Sequence, residues 1–507
     1  MEVEEKLTRI LQKHWGFPSF RSGQLEIIEA IVSGRDVLAI LTTGGGKSIC
    51  YQVAGLYLGG TTIVISPLIA LMQDQVDSLK KKGIAAEFLN SSQTKSKRKV
   101  VISKLEKMEL DFFYIAPETL ANKSLKKVLK NVEVNLVAVD EAHCISVWGQ
   151  DFRPAYTLIR ENLEEIFSQA SQFPILTAFT ATATPRTRRD ISRQLALRNP
   201  RRFLNSFYKA NLTIKVKKKL SEENLLELIS TRLKLGAVLI YAASQNRCEK
   251  LSGELGAAGV ESAYYHGGMD KTARNNVQNR YIDGEINVIV ATNAFGMGVD
   301  KGDIYTVIHD AVPDSLENYF QEAGRAGRDG TDSLSVINFD WRGINLRKQM
   351  NENSYLSPQI ANNVYNYLRK LQKVKMEFEI EQALLDIENI NRSQLELALS
   401  EFHHKKLVYF DVNHPEQTRL LKSNVLFLCT KINFSKNLKL YRKGKYKLFS
   451  MVDMCAQKKC RMQYILNYFG EASETCGNCD ICELESRNGS GFRKDKTNNM
   501  GLVQYLK

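Results

Sequence analysis

The chain has 507 residues, 43% of them hydrophobic, with 70 Lys and Arg against 56 Asp and Glu and a formal net charge of +14. This length and apolar content fit roughly three to four globular domains and argue against a disordered or fibrous chain. No window approaches eighteen uninterrupted apolar residues, and Met1-Glu2-Val3-Glu4-Glu5-Lys6-Leu7 lacks the basic-then-apolar character of a secretion signal.

We therefore expect a soluble intracellular protein, cytoplasmic or nucleoid-associated in a bacterium and nuclear in a eukaryote. There the nine cysteines would be thiols or metal ligands rather than disulfides. The charge is uneven. Residues 341–507 hold 27 Lys and Arg against 17 Asp and Glu, which fits either a polyanionic partner such as nucleic acid or a solvated basic surface.

The first informative element is the apolar run Val37-Leu38-Ala39-Ile40-Leu41, read as a strand, which breaks into Thr42-Thr43-Gly44-Gly45-Gly46-Lys47-Ser48 before helix-compatible residues. Strand, glycine-rich turn, Lys-Ser and helix is the order a phosphate cradle requires. Backbone N–H groups wrap the phosphate, Lys47 neutralises its oxygens and the Ser48 hydroxyl ligates Mg²⁺. Leu41 stands where the strict pattern has its first glycine, so a flexible surface turn is the alternative.

A second apolar run, Leu136-Val137-Ala138-Val139, would deliver Asp140 and Glu141 to the carboxyl end of a buried parallel strand. Asp140 would hold Mg²⁺ and Glu141 would orient the attacking water; capping of a helix is the bland reading. Within ten residues follow Trp148, Phe152 and Arg153, which, if exposed, suit stacking on a nucleobase.

Alternating strand and helix patterns resume from Ala237 and mark a second parallel sheet, with strands over Ala237–Tyr241, Val288–Thr292 and Thr306–His309. That unit ends in Gln321-Glu322-Ala323-Gly324-Arg325-Ala326-Gly327-Arg328-Asp329-Gly330. Arg325 and Arg328, three apart on one face of a helical turn, could reach the γ-phosphate held by the first unit.

Beyond it, Ile360–Leu371, Glu379–Ile387 and a segment capped by Asn391 read as three helices, and Leu407–Pro415 as a strand and turn. This is the pattern of a winged helix. Phe410 or His414 at its hairpin could carry a strand-separating wedge, although a structural turn explains them as well.

The stretch Lys436–Phe449 interleaves cations with Tyr441, Tyr446 and Phe449. It fits phosphate contact with base stacking, or an amphipathic hairpin with a solvated basic face. Cys476-Gly477-Asn478-Cys479-Asp480-Ile481-Cys482 can present three thiolates to one Zn²⁺, with Cys460, opening a helix that ends at Gly470, as fourth ligand. Cys455 would be a spare thiol. Residues from Asn488 onward look like a tail.

Taken in order, these segments resemble superfamily 2 helicases and, among them, the RecQ family of DNA helicases, over residues 10–340 and 455–483. Phe17-Pro18-Ser19-Phe20-Arg21-Ser22-Gly23-Gln24 resembles the adenine-recognition motif, with Arg21 and Gln24 where the base is read. Thr42 to Ser48, including Thr43, resembles motif I, whose helicase form commonly lacks the first glycine. Ser66 to Gln75 resembles motif Ia, which can offer backbone groups to a DNA phosphate. Asp140 to His143 resembles motif II, and Cys144 to Arg153 is similar to the aromatic-rich loop of RecQ proteins. Thr180 to Thr184 resembles motif III, Thr292 to Lys301 motif V, with Gly298 and Asp300 near the nucleotide, and Gln321 to Asp329 motif VI.

The resemblance implies an α/β fold of two RecA-like parallel-sheet domains, 1–205 and 206–340. A winged-helix-like module over 341–430, a basic and zinc-binding segment over 431–487 and a tail over 488–507 follow. It implies ATP, Mg²⁺ and Zn²⁺, and 3′ to 5′ translocation on single-stranded DNA with unwinding of duplex or branched DNA in replication, recombination or repair. A monomer acting with single-strand-binding or recombination proteins is the expected state. In the familiar arrangement zinc follows the core directly and a winged helix comes after it; here the order is core, winged helix, zinc, and no room is expected for a further helical nucleic-acid-binding domain. An RNA helicase, and a DNA-binding or annealing protein with a vestigial ATPase, are the rival readings.

Overall fold

The structure is a computed structural model describing residues 2–487, apart from Thr43, 91–92, 150–151, 297–300, Lys375, 412–414 and 422–431. Thr43, Gly298, Asp300, His414 and the expected tail thus lie outside the described residues. The chain forms two compact units. One is built from the residues up to Ala311, Glu317–Phe339 and the stretch from Gln457; the other from Val312–Leu316 and Asp340–Ala456.

The first unit contains two sheets. Seven strands, β1 Val37–Ile40, β2 Thr61–Ile65, β3 Ala86–Leu89, β4 Phe112–Ile115, β5 Val134–Val139, β6 Ile175–Thr180 and β7 Arg201–Leu204, pair in the order β3-β4-β2-β5-β6-β1-β7. Every pairing is parallel. The inner strands β1, β2 and β6 are buried at every position, which their continuous apolar runs demand once helices cover both faces.

The strand order does the functional work. Because β5, β6 and β1 are adjacent, the loops leaving their carboxyl ends bring Asp140, Thr180 and Leu41–Ser48 side by side. Leu41 N–H donates to the Thr180 carbonyl at 3.1 Å, and Asp140 N–H to the Ile65 carbonyl at 2.8 Å.

A second, all-parallel sheet holds β8 Leu212–Lys218, β9 Ala237–Tyr241, β10 Ala263–Tyr265, β11 Val288–Ala291, β12 Ile304–His309 and β13 Ser333–Phe339, ordered β10-β11-β9-β12-β13-β8. Residues 205–211 link the sheets.

The second unit is helical. Its three expected helices are present as Pro358–Val374, Ile380–Asp386 and Arg392–His404. The Asn391 cap is a full capping box: its side-chain Oδ1 accepts the Gln394 N–H at 3.0 Å while the Gln394 side chain accepts the Asn391 N–H at 3.3 Å. These helices and a short antiparallel ribbon, β14 Val408–Tyr409 with β15 Arg419–Leu420, enclose a core that includes Leu368, Leu395, Leu399, Phe402 and Val408. Phe410 is buried, with its N–H donated to His403 Nδ1 at 3.0 Å, so it fits the structural-turn reading rather than an exposed wedge.

One expectation changes here. Lys436–Phe449 is no hairpin; it lies within one 23-residue helix, Phe434–Ala456. By contacts the zinc knuckle falls in the first unit and this helix in the helical one. The helix pairs with Trp341–Asn353: Tyr441 stacks on Tyr355 with ring centroids 4.8 Å apart, and its carbonyl accepts from Asn351 Nδ2 at 3.4 Å. Residues 354–433 are thus an insertion between two paired helices.

Candidate nucleotide site and zinc knuckle

The loop after β1 opens the helix Lys47–Leu58, whose first N–H groups face the turn and provide an anion cradle. Gly46 has φ 72°, a left-handed conformation that favours glycine, and a Cβ there would displace the Gln24 side-chain amide, whose Nε2 would lie 2.2 Å away. The expected adenine-reading residues reach the same loop. Arg21 Nη1 donates to the Gly44 carbonyl at 2.6 Å, and Gln24 Nε2 to the Gly46 carbonyl at 3.2 Å. A cleft of about 590 Å³ is lined by Phe17, Arg21, Gln24, Gly44, Gly45, Gly46, Lys47 and Ser48 together with Asp74, Gln75 and Arg328.

Asp74 and Gln75 belong to the segment likened to motif Ia. They line the nucleotide cleft. The start of the segment touches the aromatic loop through the Pro67 carbonyl, which accepts from Arg153 Nη1 at 2.6 Å.

Asp140 and Glu141 are both buried. Burial and the Glu141 charge push Asp140 up to about 7 against the pull of Lys47. For Glu141 burial is outweighed by Lys47 and His143, which hold it down at about 2. His143 Nδ1 lies 3.2 Å from Glu141 Oε2 and 2.7 Å from Thr180 Oγ1. His143 thereby links Glu141 to the segment likened to motif III. Sequence reasoning had given His143 no individual role, nor Tyr156, whose buried hydroxyl donates to the Asp140 carbonyl at 3.0 Å. Nothing in the local pattern marks Tyr156, sixteen residues on.

The two arginines separate. The helix Leu316–Ala323 ends before them and residues 324–329 are turns, so they do not share a helical face. Arg328 reaches the cleft; its Cγ is 3.8 Å from where a Cβ on Gly44 would be. Arg325 is buried beside Gly296, a position where a Cβ would meet its Nη2 at 2.6 Å. Lys209, another residue the sequence did not flag, donates to the Gly324 carbonyl at 2.8 Å, and burial with the Arg328 charge pushes its ammonium down to about 8.

Trp148, Phe152 and Arg153 are half-buried rather than exposed. Trp148 already carries a cation on its ring, the Arg186 guanidinium 3.7 Å from the centroid. Ser146 donates to Asp190 at 2.7 Å. Both partners lie on the helix Pro185–Gln194, directly after Thr184, so the aromatic loop is docked to the end of the motif III segment.

Cys460, Cys476, Cys479 and Cys482 bring their sulfurs within 4.8 Å of one another. Tetrahedral zinc with Zn–S bonds of about 2.3 Å needs sulfurs roughly 3.8 Å apart, so the four thiols fit the ion. Backbone N–H groups of Arg461 and Cys476 point at Cys479 Sγ and Cys460 Sγ at 3.4 and 3.2 Å, favouring thiolates. Cys455 is buried in the preceding helix and does not join them.

Arg461, itself buried, forks onto Asp480 at 3.0 and 3.1 Å and fixes the knuckle. The knuckle holds the second sheet's edge through Lys215–Glu483 at 2.9 Å and Val216 N–H to Asp480 at 3.2 Å. Its turn grips the inter-sheet linker: Phe469 stacks on Phe207 at 4.4 Å, and Glu471 accepts from Ser206 and from Phe207 N–H. Arg188 of the first sheet's domain donates to the Phe469 carbonyl at 2.7 Å.

Comparison with known sequences fits this arrangement. Residues 21–191 match the DEAD/DEAH box helicase family, 221–330 the helicase conserved C-terminal domain and 417–483 the RecQ zinc-binding family. Over 94% of its length the chain is 34% identical to the probable ATP-dependent DNA helicase RecS of Bacillus subtilis, of which 91% is covered. Over 95% it is 32% identical to the ATP-dependent DNA helicase RecQ of Synechocystis, of which 99% is covered. The chain belongs to the RecQ family of DNA helicases.

Other members of the RecQ family are longer: the ATP-dependent DNA helicase RecQ of B. subtilis is 40% identical over 68% of this chain, but the match spans only 58% of that protein. Among solved structures the fold is similar to Mycobacterium smegmatis helicase Lhr bound to ssDNA and AMP-PNP (TM-score 0.53, 16% identity, 88% of this chain and 61% of that one). It is also similar to the DUF1998 helicase MrfA bound to DNA (TM-score 0.56, 17% identity, 83% and 59%). At such identities the likeness concerns the fold alone. Among the described residues no helix is long and apolar enough to cross a membrane.

Proposed function

We propose that the chain is an ATP-dependent DNA helicase that translocates 3′ to 5′ on single-stranded DNA and displaces the complementary strand. The observation that carries this reading is Arg328, beyond the second sheet's β12, lining the same cleft as Lys47 and Ser48 of the first. A nucleotide held between two sheets can drive their relative movement.

In this reading Lys47 and the loop N–H groups hold the β- and γ-phosphates, Glu141 orients the attacking water, and Arg328 neutralises charge that develops on the γ-phosphoryl oxygens. Ser48 and Asp140 would hold Mg²⁺, which would supply positive charge to the phosphates. Loss of the γ-phosphate removes the group that Lys47 and Arg328 both grip, and the cleft relaxes. Trp148, Phe152 and Arg153 report DNA to Glu141 through the Thr180–His143 connection. Arg325 acts indirectly, supporting the turn that carries Arg328.

ATP hydrolysis measured with single-stranded DNA, with RNA and without polymer tests this reading. Stimulation by DNA alone is expected, and Lys47→Ala should abolish turnover while leaving DNA binding largely intact. Equal stimulation by RNA would favour an RNA helicase, and no hydrolysis in any condition a vestigial site.

A further inference from the structure

We propose that the outward face of the helix Phe434–Ala456, formed by Lys439, Arg442 and Tyr446, binds the phosphate backbone of duplex DNA. Six cations and no acid lie between Phe434 and Val452. Composition alone would leave this a solvated surface; the helix's orientation sorts it.

Gly444 faces Asn351 of the partner helix so closely that a Cβ would fall 1.9 Å from Asn351 Oδ1. This close approach fixes the rotation of the helix. At about 100° per residue, Arg442, Tyr446 and Lys439 lie about 160°, 200° and 220° around from Gly444. They therefore occupy a narrow arc opposite the packed side, and all three are exposed, Tyr446 by 54%. Lys443 and Lys447 are buried and fall outside the arc.

Lys439 and Arg442 have no ion-pair or hydrogen-bond partner among the described residues. Two unneutralised cations three residues apart, about 4.5 Å along the axis, with a phenol one turn on, form a rigid linear row. A polyanion with regularly spaced charges complements such a row. The helix is preformed, so little ordering entropy opposes binding, and the stiff backbone of a duplex matches it better than a coiling single strand. No residue of this helix lines the nucleotide cleft.

Duplex and single-stranded oligonucleotide binding by the full chain, from 50 to 200 mM salt, tests the assignment. Lys439→Ala/Arg442→Ala should weaken duplex binding about tenfold and make the log–log salt slope shallower by about 1.8, the release from two phosphates. Single-strand-stimulated ATPase should stay within twofold, and Lys439→Arg/Arg442→Lys should retain duplex binding. Unchanged duplex affinity and slope would overturn the proposal, as would a loss confined to single strands. Absence of ATPase in the unmodified chain would count against the motor reading, and not against this one.

Discussion

The nucleotide cleft and the zinc knuckle are both polar sites built at chain turns, yet they are held together by opposite means. The cleft draws on residues from Phe17 to Arg328 and depends on strand order to assemble them. Its loop is steadied by side chains from the adenine side, Arg21 and Gln24, bonded to glycine carbonyls. The knuckle gathers its ligands between Cys460 and Cys482, with local N–H groups already turned to the sulfurs. A site of distant parts can open and close; a site of near neighbours can only hold.

The largest effect should come from the cleft's most distant contributor. Arg328→Ala is expected to lower kcat for ATP by on the order of 10³-fold with KM changed only a few-fold, as steady-state kinetics would show. Arg325→Ala should chiefly lower the melting temperature, because it leaves a cavity where the side chain packs beside Gly296. Equal kcat losses with equal melting would erase the distinction between the two arginines.

Removing the metal should act on stability first. Chelation, or Cys479→Ser, is expected to lower the thermal midpoint by on the order of 10 °C in scanning fluorimetry, with zinc released to a chromogenic chelator. An unmoved midpoint would mean that protein contacts alone hold the knuckle.

The smallest effects should appear at the aromatic loop beside the cleft. Trp148→Ala or Arg153→Ala should cut DNA stimulation of hydrolysis about tenfold while leaving KM for ATP within twofold. Arg186→Ala, which removes only a cation–π contact worth about 1 kcal/mol, should cost about fivefold. Normal unwinding by both loop variants would make the loop a connector.

What was legible in the sequence follows the same division. The phosphate loop, the cysteine spacing and the Asn391 cap are local patterns, and local chemistry fixes each. The split between Arg325 and Arg328 was not legible, because it depends on a helix that stops at Ala323 and a turn in which Gly327 has φ 61°. Arg186 over Trp148 and Phe469 on Phe207 join residues far apart in sequence, and only the fold pairs them. The helix Phe434–Ala456 could have been found: Leu440, Gly444, Leu448, Met451 and Cys455 recur at steps of three and four. Interleaved aromatics and a central glycine instead made a hairpin plausible.

The turn Phe469–Glu471 has a mechanical consequence. A single seven-residue strand of chain joins the sheets, and on its own it would act as a loose string. Pinned by a ring stack and two hydrogen bonds to Glu471, it becomes an axle. An axle passes torque; a string lets it dissipate. In the motor proposed above, a zinc ion held by the knuckle would thus bear on how much of each chemical cycle emerges as movement, and a chain with a slack axle would consume fuel while slipping on its track.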